Sequence, residues 1–232
     1  MVQKKEPQYR HELKYACTEA QLQLLQSRIH HLIPLDSHVG DTGMYTIRSL
    51  YFDDYYNRCY YENENGTDPR EKFRIRIYNG SADKINLELK KKERGKTLKL
   101  SCPLTEEQCR TLMKGELLPD DPNYPQVLQK LLLLMKTTMM KPKIIVEYDR
   151  VPYVYKLGNV RITLDKNISS CTKIETFLDK KINRRPIMPA GQHLLEVKFD
   201  EFLPDYIYST LQLKNLRQTA FSKFYLCRKF AL

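Results

Sequence analysis

An α+β fold built on a closed antiparallel β-barrel, with a polar lumen and helices packed outside, is the architecture this sequence predicts. Three observations predict it. Most strand-like segments carry an ionisable residue at every second position with apolar residues between. Several segments of helical spacing carry apolar stripes suited to covering an apolar sheet face. The 232 residues include 39 Lys and Arg against 28 Asp and Glu, a formal net charge of +11. If helices cover the outside, the charged faces point inward. Such a sheet is stable only when closed around water and ligand.

The elements follow in order. Residues 10–15 alternate, placing Arg10, Glu12 and Lys14 on one side of a first strand. Thr18, Glu19, Ala20 and Gln21 form a capping signature for a helix whose Leu22, Leu25, Ile29 and Leu32 recur at helical spacing before Pro34. Residues 45–53 are a second strand, rich in β-branched and aromatic residues. Residues 54–69 are polar and turn-rich and lead into the most regular stretch of the chain.

That stretch is a cationic hairpin. Along residues 72–78, Lys72, Arg74, Arg76 and Tyr78 face one way and Phe73, Ile75 and Ile77 the other. Asn79 and Gly80 supply turn chemistry, and the return limb sets Glu88 and Lys90 opposite Leu87 and Leu89. After a second turn ending at Gly95, residues 97–100 alternate again, so Arg74, Arg76, Glu88, Lys90 and Lys99 share a surface. Crowded like charges destabilise that surface unless solvent or a polyanion compensates them.

Helices are expected from Pro103 onward and over 124–135, then strands at 141–150, 159–165 and 193–199, the last placing Glu196 and Lys198 on one face. Pro204 opens a helix expected to reach about Leu213, and the chain closes with Thr219 to Phe224. No repeat, low-complexity tract or linker divides residues 1–232, which read as one domain.

Composition limits the functions. The cation excess favours polyanionic partners. Six cysteines are scattered without a Cys-x-x-Cys pair, which indicates neither a zinc site nor a disulfide framework. No apolar segment of signal-peptide length follows Met1, and the longest purely apolar run is Leu131 to Met135, so a soluble, cytoplasmic chain is expected. Among only eight glycines there is no Gly-x-x-x-x-Gly-Lys phosphate loop. Trp is absent and no RNA-binding aromatic motif accompanies the 16 tyrosines, so nucleic acid is not the expected partner.

A closed lumen gathers Lys14, Arg74, Arg76, Lys90, Lys99, Arg161, Lys198 and Lys223 with the carboxylates Glu12, Glu88, Glu147 and Glu196. Arg forks match phosphate oxygens while Lys adds point charge. The carboxylates suit Mg²⁺ or Mn²⁺ bridging those phosphates, with Glu196, Glu12 and Glu88 the expected ligands.

The motifs that carry these residues are Arg-x-Glu-x-Lys at 10–14, Tyr-x-Ile-Arg-Ser-Leu-Tyr-Phe-Asp at 45–53, Arg-Ile-Arg at 74–76, Leu-Glu-x-Lys at 87–90, Val-x-Tyr-x-Arg at 146–150, Leu-Glu-Val-Lys-Phe at 195–199 and Ser-Lys-Phe at 222–224. Taken in order over nearly the whole chain, they resemble the vacuolar transporter chaperone (VTC) domain, a polyphosphate polymerase of the triphosphate tunnel metalloenzyme superfamily, with a CYTH-like tunnel. The resemblance implies that the chain binds ATP and transfers its γ-phosphoryl group to a growing inorganic polyphosphate. It implies Lys14, Arg74, Arg76, Lys90, Lys99, Arg161 and Lys223 as phosphate ligands, with Ser222 assisting and Glu196 holding the metal. Fungal members join this domain to an inositol-phosphate-sensing domain and membrane helices, which are not found in these residues, so coupling to translocation is expected either to come from a membrane-bound partner or to be absent.

Two other readings remain. A CYTH-type triphosphatase resembles Glu-x-Glu-x-Lys on its first strand, where this chain has Arg10 and keeps only Glu12. Losing that carboxylate weakens a two-metal, water-activating site. A non-catalytic polyphosphate-binding module is the reading from another class.

Overall fold

The computed structural model describes residues 8–211 and 216–231. Its strands are β1 (His11–Thr18), β2 (Tyr45–Asp53), β3 (Arg70–Tyr78), β4 (Ser81–Glu93), β5 (Lys96–Leu104), β6 (Lys141–Tyr155), β7 (Val160–Cys171), β8 (Arg185–Pro186) and β9 (Gln192–Phe199). The helices are α1 (Glu19–His30), α2 (Arg58–Glu64), α3 (Glu106–Met113), α4 (Gln126–Thr138), α5 (Asp205–Thr210) and α6 (Lys223–Lys229). Every strand pair is antiparallel, in the order β1-β9-β7-β6-β2-β3-β4-β5, with the two-residue β8 added beside β7.

The alternation of the cationic hairpin is realised. Phe73, Ile75, Ile77, Leu87 and Leu89 are buried in an outer core under α3 and α4, while Lys72, Arg74, Arg76 and Lys90 face the concave side. Both hairpin turns place two consecutive residues at positive φ, Asn79 and Gly80 at 53° and 65°, Arg94 and Gly95 at 49° and 75°. That is the geometry whose twist matches the flanking strands. A second outer core lies under α1 and α5, built on Leu22, Leu25, Ile29, Ile162, Leu195 and Val197. Thr18 caps α1 in a capping box with Gln21, as expected, but Leu32 lies beyond the helix and is exposed.

The expected closed barrel is corrected: the sheet curls, but it is open. Its edge strands meet at one bridge, where Arg10 and Thr97 exchange backbone hydrogen bonds of 2.9 Å. Past that bridge the edges part because they serve different cores. Cys102 and Leu104 of β5 turn toward the core under α3 and α4, whereas Tyr15 and Cys17 of β1 belong to the core under α1. The free edge of β1 is taken by the C-terminal segment, where Gln218 bridges Tyr15 and the Thr219 amide donates to Lys14 O at 2.9 Å.

Not all helices lie outside. α6 packs against β6, β7 and α2 on the concave side, Phe224 resting on Tyr51 at 5.2 Å between ring centres. α2 falls inside the stretch read as polar and turn-rich. Its first amides are satisfied by Asp53, which accepts from Cys59 N and Tyr60 N at 2.8 and 3.2 Å, and by Asp54, which accepts from Arg58 N at 2.8 Å. This seven-residue helix is fixed by carboxylates of the preceding strand end rather than by its own periodicity. α5 ends at Thr210, and residues 212–215 of the helix expected there lie outside the described residues.

Candidate functional site

The curled sheet, α2, α6 and the C-terminal segment enclose a cavity of about 720 Å³. Ten Lys and Arg side chains line it against three carboxylates, Glu12, Glu64 and Glu196. Of the residues expected in the site, Lys14, Arg74, Arg76, Lys90, Lys198, Ser222, Lys223, Glu12 and Glu196 all line it.

Strand register explains the convergence. On β1 and β9, Glu12 lies opposite Lys198 and Lys14 opposite Glu196, so charges alternate across the ladder. Lys90 Nζ reaches Glu12 at 2.7 Å from across the seam, and Lys14 stands 3.8 Å from both Glu12 and Glu196. Lys198 lies 3.1 Å from Glu196 and 3.6 Å from Glu12. On β3 and β4, the Arg74 guanidinium grips Glu88 at 2.6 and 2.7 Å and donates to Tyr51 OH at 2.9 Å. Arg76 donates to Ser49 Oγ at 3.1 Å.

Four expected residues do not line the cavity. Glu88 is buried among Arg74, Arg76 and Lys99, the last 3.1 Å away. Lys99 is half exposed, and Arg161 is drawn aside by Asp36 at 2.7 Å. Glu147 points to the opposite face of the sheet, where it pairs with Arg48 and Arg184.

Sequence reading missed Arg150, Lys72, Arg70 and Lys92, with Tyr51 and Tyr148, all of which line the cavity. Arg150 holds Asp165 in a two-pronged pair at 2.7 and 2.8 Å and reaches Glu196 at 3.3 Å, while Lys223 meets Asp165 at 2.6 Å. Alternation from Tyr148 and from Lys90 carried the signal for Arg150 and Lys92. Asp165 gave none, because its strand was read without its partners.

Burial would raise every carboxyl here, yet neighbouring cations win. Burial raises Glu196, but Lys198, Lys223 and Lys14 hold it well below the usual carboxylate range. Asp165 is lowered against burial by Arg150 and Lys223. Burial and the charge of Glu196 both push Glu12 up, and Lys14, Lys90 and Lys198 bring it net downward. The lysines feel the reverse. Burial brings Lys90 down to about 8 and Lys72 to about 7, the latter aided by Arg70 and Lys90. Lys223 stays above its ordinary value because Asp165 outweighs its burial.

Among the described residues no group of three or more His, Cys, Asp or Glu forms a cage for a metal ion. The pair Glu12 and Glu196 nevertheless suits a hard divalent cation. They lie on adjacent strands, share Lys14 and Lys198, and face the cavity, and Mg²⁺ or Mn²⁺ needs one or two carboxylates when phosphates and water supply the rest. Glu88, wrapped by three cations and away from the cavity, does not suit one.

A model of the VTC domain matches residues 9–232. No curated protein matches the sequence closely enough to count as a relative. Among solved structures, a candidate adenylate cyclase from Bacillus halodurans is similar at TM-score 0.53 and 13% identity, covering 90% of this chain and 88% of its own. A candidate adenylyl cyclase from Hippeastrum, described as having a dominant triphosphatase activity, is similar at TM-score 0.53 and 13% identity, covering 97% and 96%. One from Vibrio parahaemolyticus is similar at TM-score 0.52 and 9% identity, covering 96% and 99%. At these identities the likeness is one of fold. No helix among the described residues is long and apolar enough to cross a membrane.

Proposed function

The chain belongs to the VTC domain family, and from that premise we propose that it is a polyphosphate polymerase, transferring the γ-phosphoryl group of ATP to the end of an inorganic polyphosphate chain and releasing ADP. The observation that supports this best is the cavity itself, where ten cationic side chains from five strands and α6 face one space. So dense a positive lining matches a ligand with a charge on every phosphate.

The transferred phosphoryl group passes through a loose transition state, so positioning and electrostatic stabilisation do most of the work. In this reading Arg74 and Arg76 hold phosphate oxygens from β3, with Lys14 and Lys90 across the seam and Lys223 from the first turn of α6. Lys198 and Ser222 complete the lining. Arg150 keeps Glu196 and Asp165 in place. Lys99, outside the lining, acts through Glu88 on Arg74 and Arg76 as a positioning residue, whereas Arg161, paired with Asp36, takes no part. The attacking phosphate oxygen is already ionised, so no protein base has to remove a proton. Glu196 and Glu12 would hold Mg²⁺ or Mn²⁺, which when bound neutralises charge across the phosphate oxygens.

A CYTH-type triphosphatase is the second reading, favoured by the closeness of Glu12 and Glu196, two carboxylates able to orient a water molecule. Gel analysis of products from ATP with Mn²⁺ or Mg²⁺ separates them. Long chains together with ADP are expected; free phosphate without polymer would overturn the polymerase reading. Glu196→Gln is expected to abolish turnover with its fold retained.

A further inference from the structure

Most cations in the cavity already have a carboxylate. Lys14, Lys90 and Lys198 have Glu12, Arg74 and Arg76 have Glu88, and Arg150 and Lys223 have Asp165. Three further cations line the same cavity but pair with no carboxylate of the described residues: Arg70, Lys72 and Lys92. Arg70 gives a hydrogen bond of 2.6 Å to Thr67 O, and Lys72 donates to Asn63 Oδ1 and reaches Ser222 Oγ at 3.4 Å.

These three are gathered deliberately by the strand register. Arg70 lies opposite Lys92, and Lys72 lies opposite Lys90, on the start of β3 and the end of β4. Like charges directly opposite across a ladder destabilise it. The acidic residues nearest in sequence are engaged elsewhere: Glu71 pairs with Lys91 and Lys130 at 2.9 and 2.5 Å, Glu93 accepts from Tyr9 OH at 2.9 Å, and Asp68 accepts from Arg94 N and Gly95 N at 3.1 and 3.2 Å. A second cavity of about 290 Å³, lined also by Glu62, Glu71 and Glu93, shares Arg70 and Lys92 with the first, so that pair marks the edge of the cationic lining.

We propose that Arg70, Lys72 and Lys92 form a further phosphate subsite, which takes a phosphate of a linear chain beyond the triphosphate held by the carboxylate-paired cations and so favours long polyphosphate over triphosphate. The inference rests on the polyphosphate reading of the main cavity. Its chemistry is an Arg fork for two oxygens flanked by two ammonium groups. A triphosphate bound among the paired cations leaves this group without a counter-charge in contact, whereas a longer chain that reaches Arg70, Lys72 and Lys92 neutralises it.

Titration calorimetry of the full chain with tripolyphosphate and with size-fractionated long linear polyphosphate tests this. Wild type is expected to bind the long chain more tightly. Lys72→Gln, and separately the double variant Arg70→Gln/Lys92→Gln, are expected to weaken the long chain about tenfold more than tripolyphosphate, as loss of a charge-assisted contact would. Lys72→Arg should restore the preference, which a merely structural role for Lys72 would not. Equal losses for both ligands, or none, would overturn the subsite. Wild type that binds tripolyphosphate without preferring the long chain would also overturn it while leaving the main cavity's reading intact. Failure to bind either ligand would end both.

Discussion

Glu88 is the side chain on which the cavity-facing arginines lean. It is buried with Arg74, Arg76 and Lys99 around it, so removing its charge strands two buried guanidinium groups. Glu88→Gln is expected to destabilise the free protein by about 3 kcal/mol, the lower end for a broken buried pair, measured by urea unfolding. Excess tripolyphosphate should return part of that loss, because phosphate oxygens replace the missing carboxylate. Lys72 presents the opposite case. Its ammonium is brought down to about 7 from 10.5, chiefly by burial, so the unfolded chain holds a proton there that the folded one releases between those values. The penalty is complete below about pH 7 and fades as pH rises toward 10.5. Lys72→Met should therefore raise the melting temperature of the ligand-free protein most at pH 6–7. A gain that grew above pH 9 would contradict this. Both behaviours follow from strand alternation, which put Arg74 and Lys72 on one face in the bare sequence. Neither sign was readable there, since each depends on which carboxylate stands opposite.

Among the elements, α6 shows how a short segment couples fold to site. Ser222 caps it by accepting from Tyr225 N at 3.3 Å, while Lys223 and Phe224 of its first turn enter the cavity. The cap role of Ser222 and its proposed ligand role can be separated. Ser222→Ala should cost about 1 kcal/mol by loss of the cap. Ser222→Asp should keep the stability, since Asp caps as well as Ser, but should weaken tripolyphosphate binding by placing a negative charge beside Lys72 and Lys223. If Ser222→Asp bound phosphate as wild type does, the hydroxyl would face away from the ligand. Elements with a strong internal period were legible: the boundaries of β2 agree with the stretch 45–53, and the capping box of α1 was spelled out by Thr18 and Gln21. α2 and α6, at seven residues each, were not, because their stability comes from Asp53, Asp54 and Ser222 and from packing on one another.

For the whole molecule, so many cations around one cavity lead us to expect a folded state that anions stabilise. A ligand that binds only the folded state at one hundred times its dissociation constant adds about 2.7 kcal/mol, and for a chain of this size that is a rise of about 5–10 °C in melting temperature. Tripolyphosphate is expected to produce it in thermal scans, and added salt to reduce it. A shift no larger than sulfate gives would count against a built phosphate cavity. By itself the sequence determined which faces of the strands are cationic and where the long strands and the capped helices lie, because alternation and local capping are properties of neighbours along the chain. The tertiary structure alone decided that the sheet stays open, that residues 218–222 occupy its seam, and which cations keep a carboxylate while Arg70, Lys72 and Lys92 pair with none among the described residues. Those outcomes depend on pairings between residues as far apart as Lys14 and Phe221, whose 2.9 Å hydrogen bond no local pattern encodes.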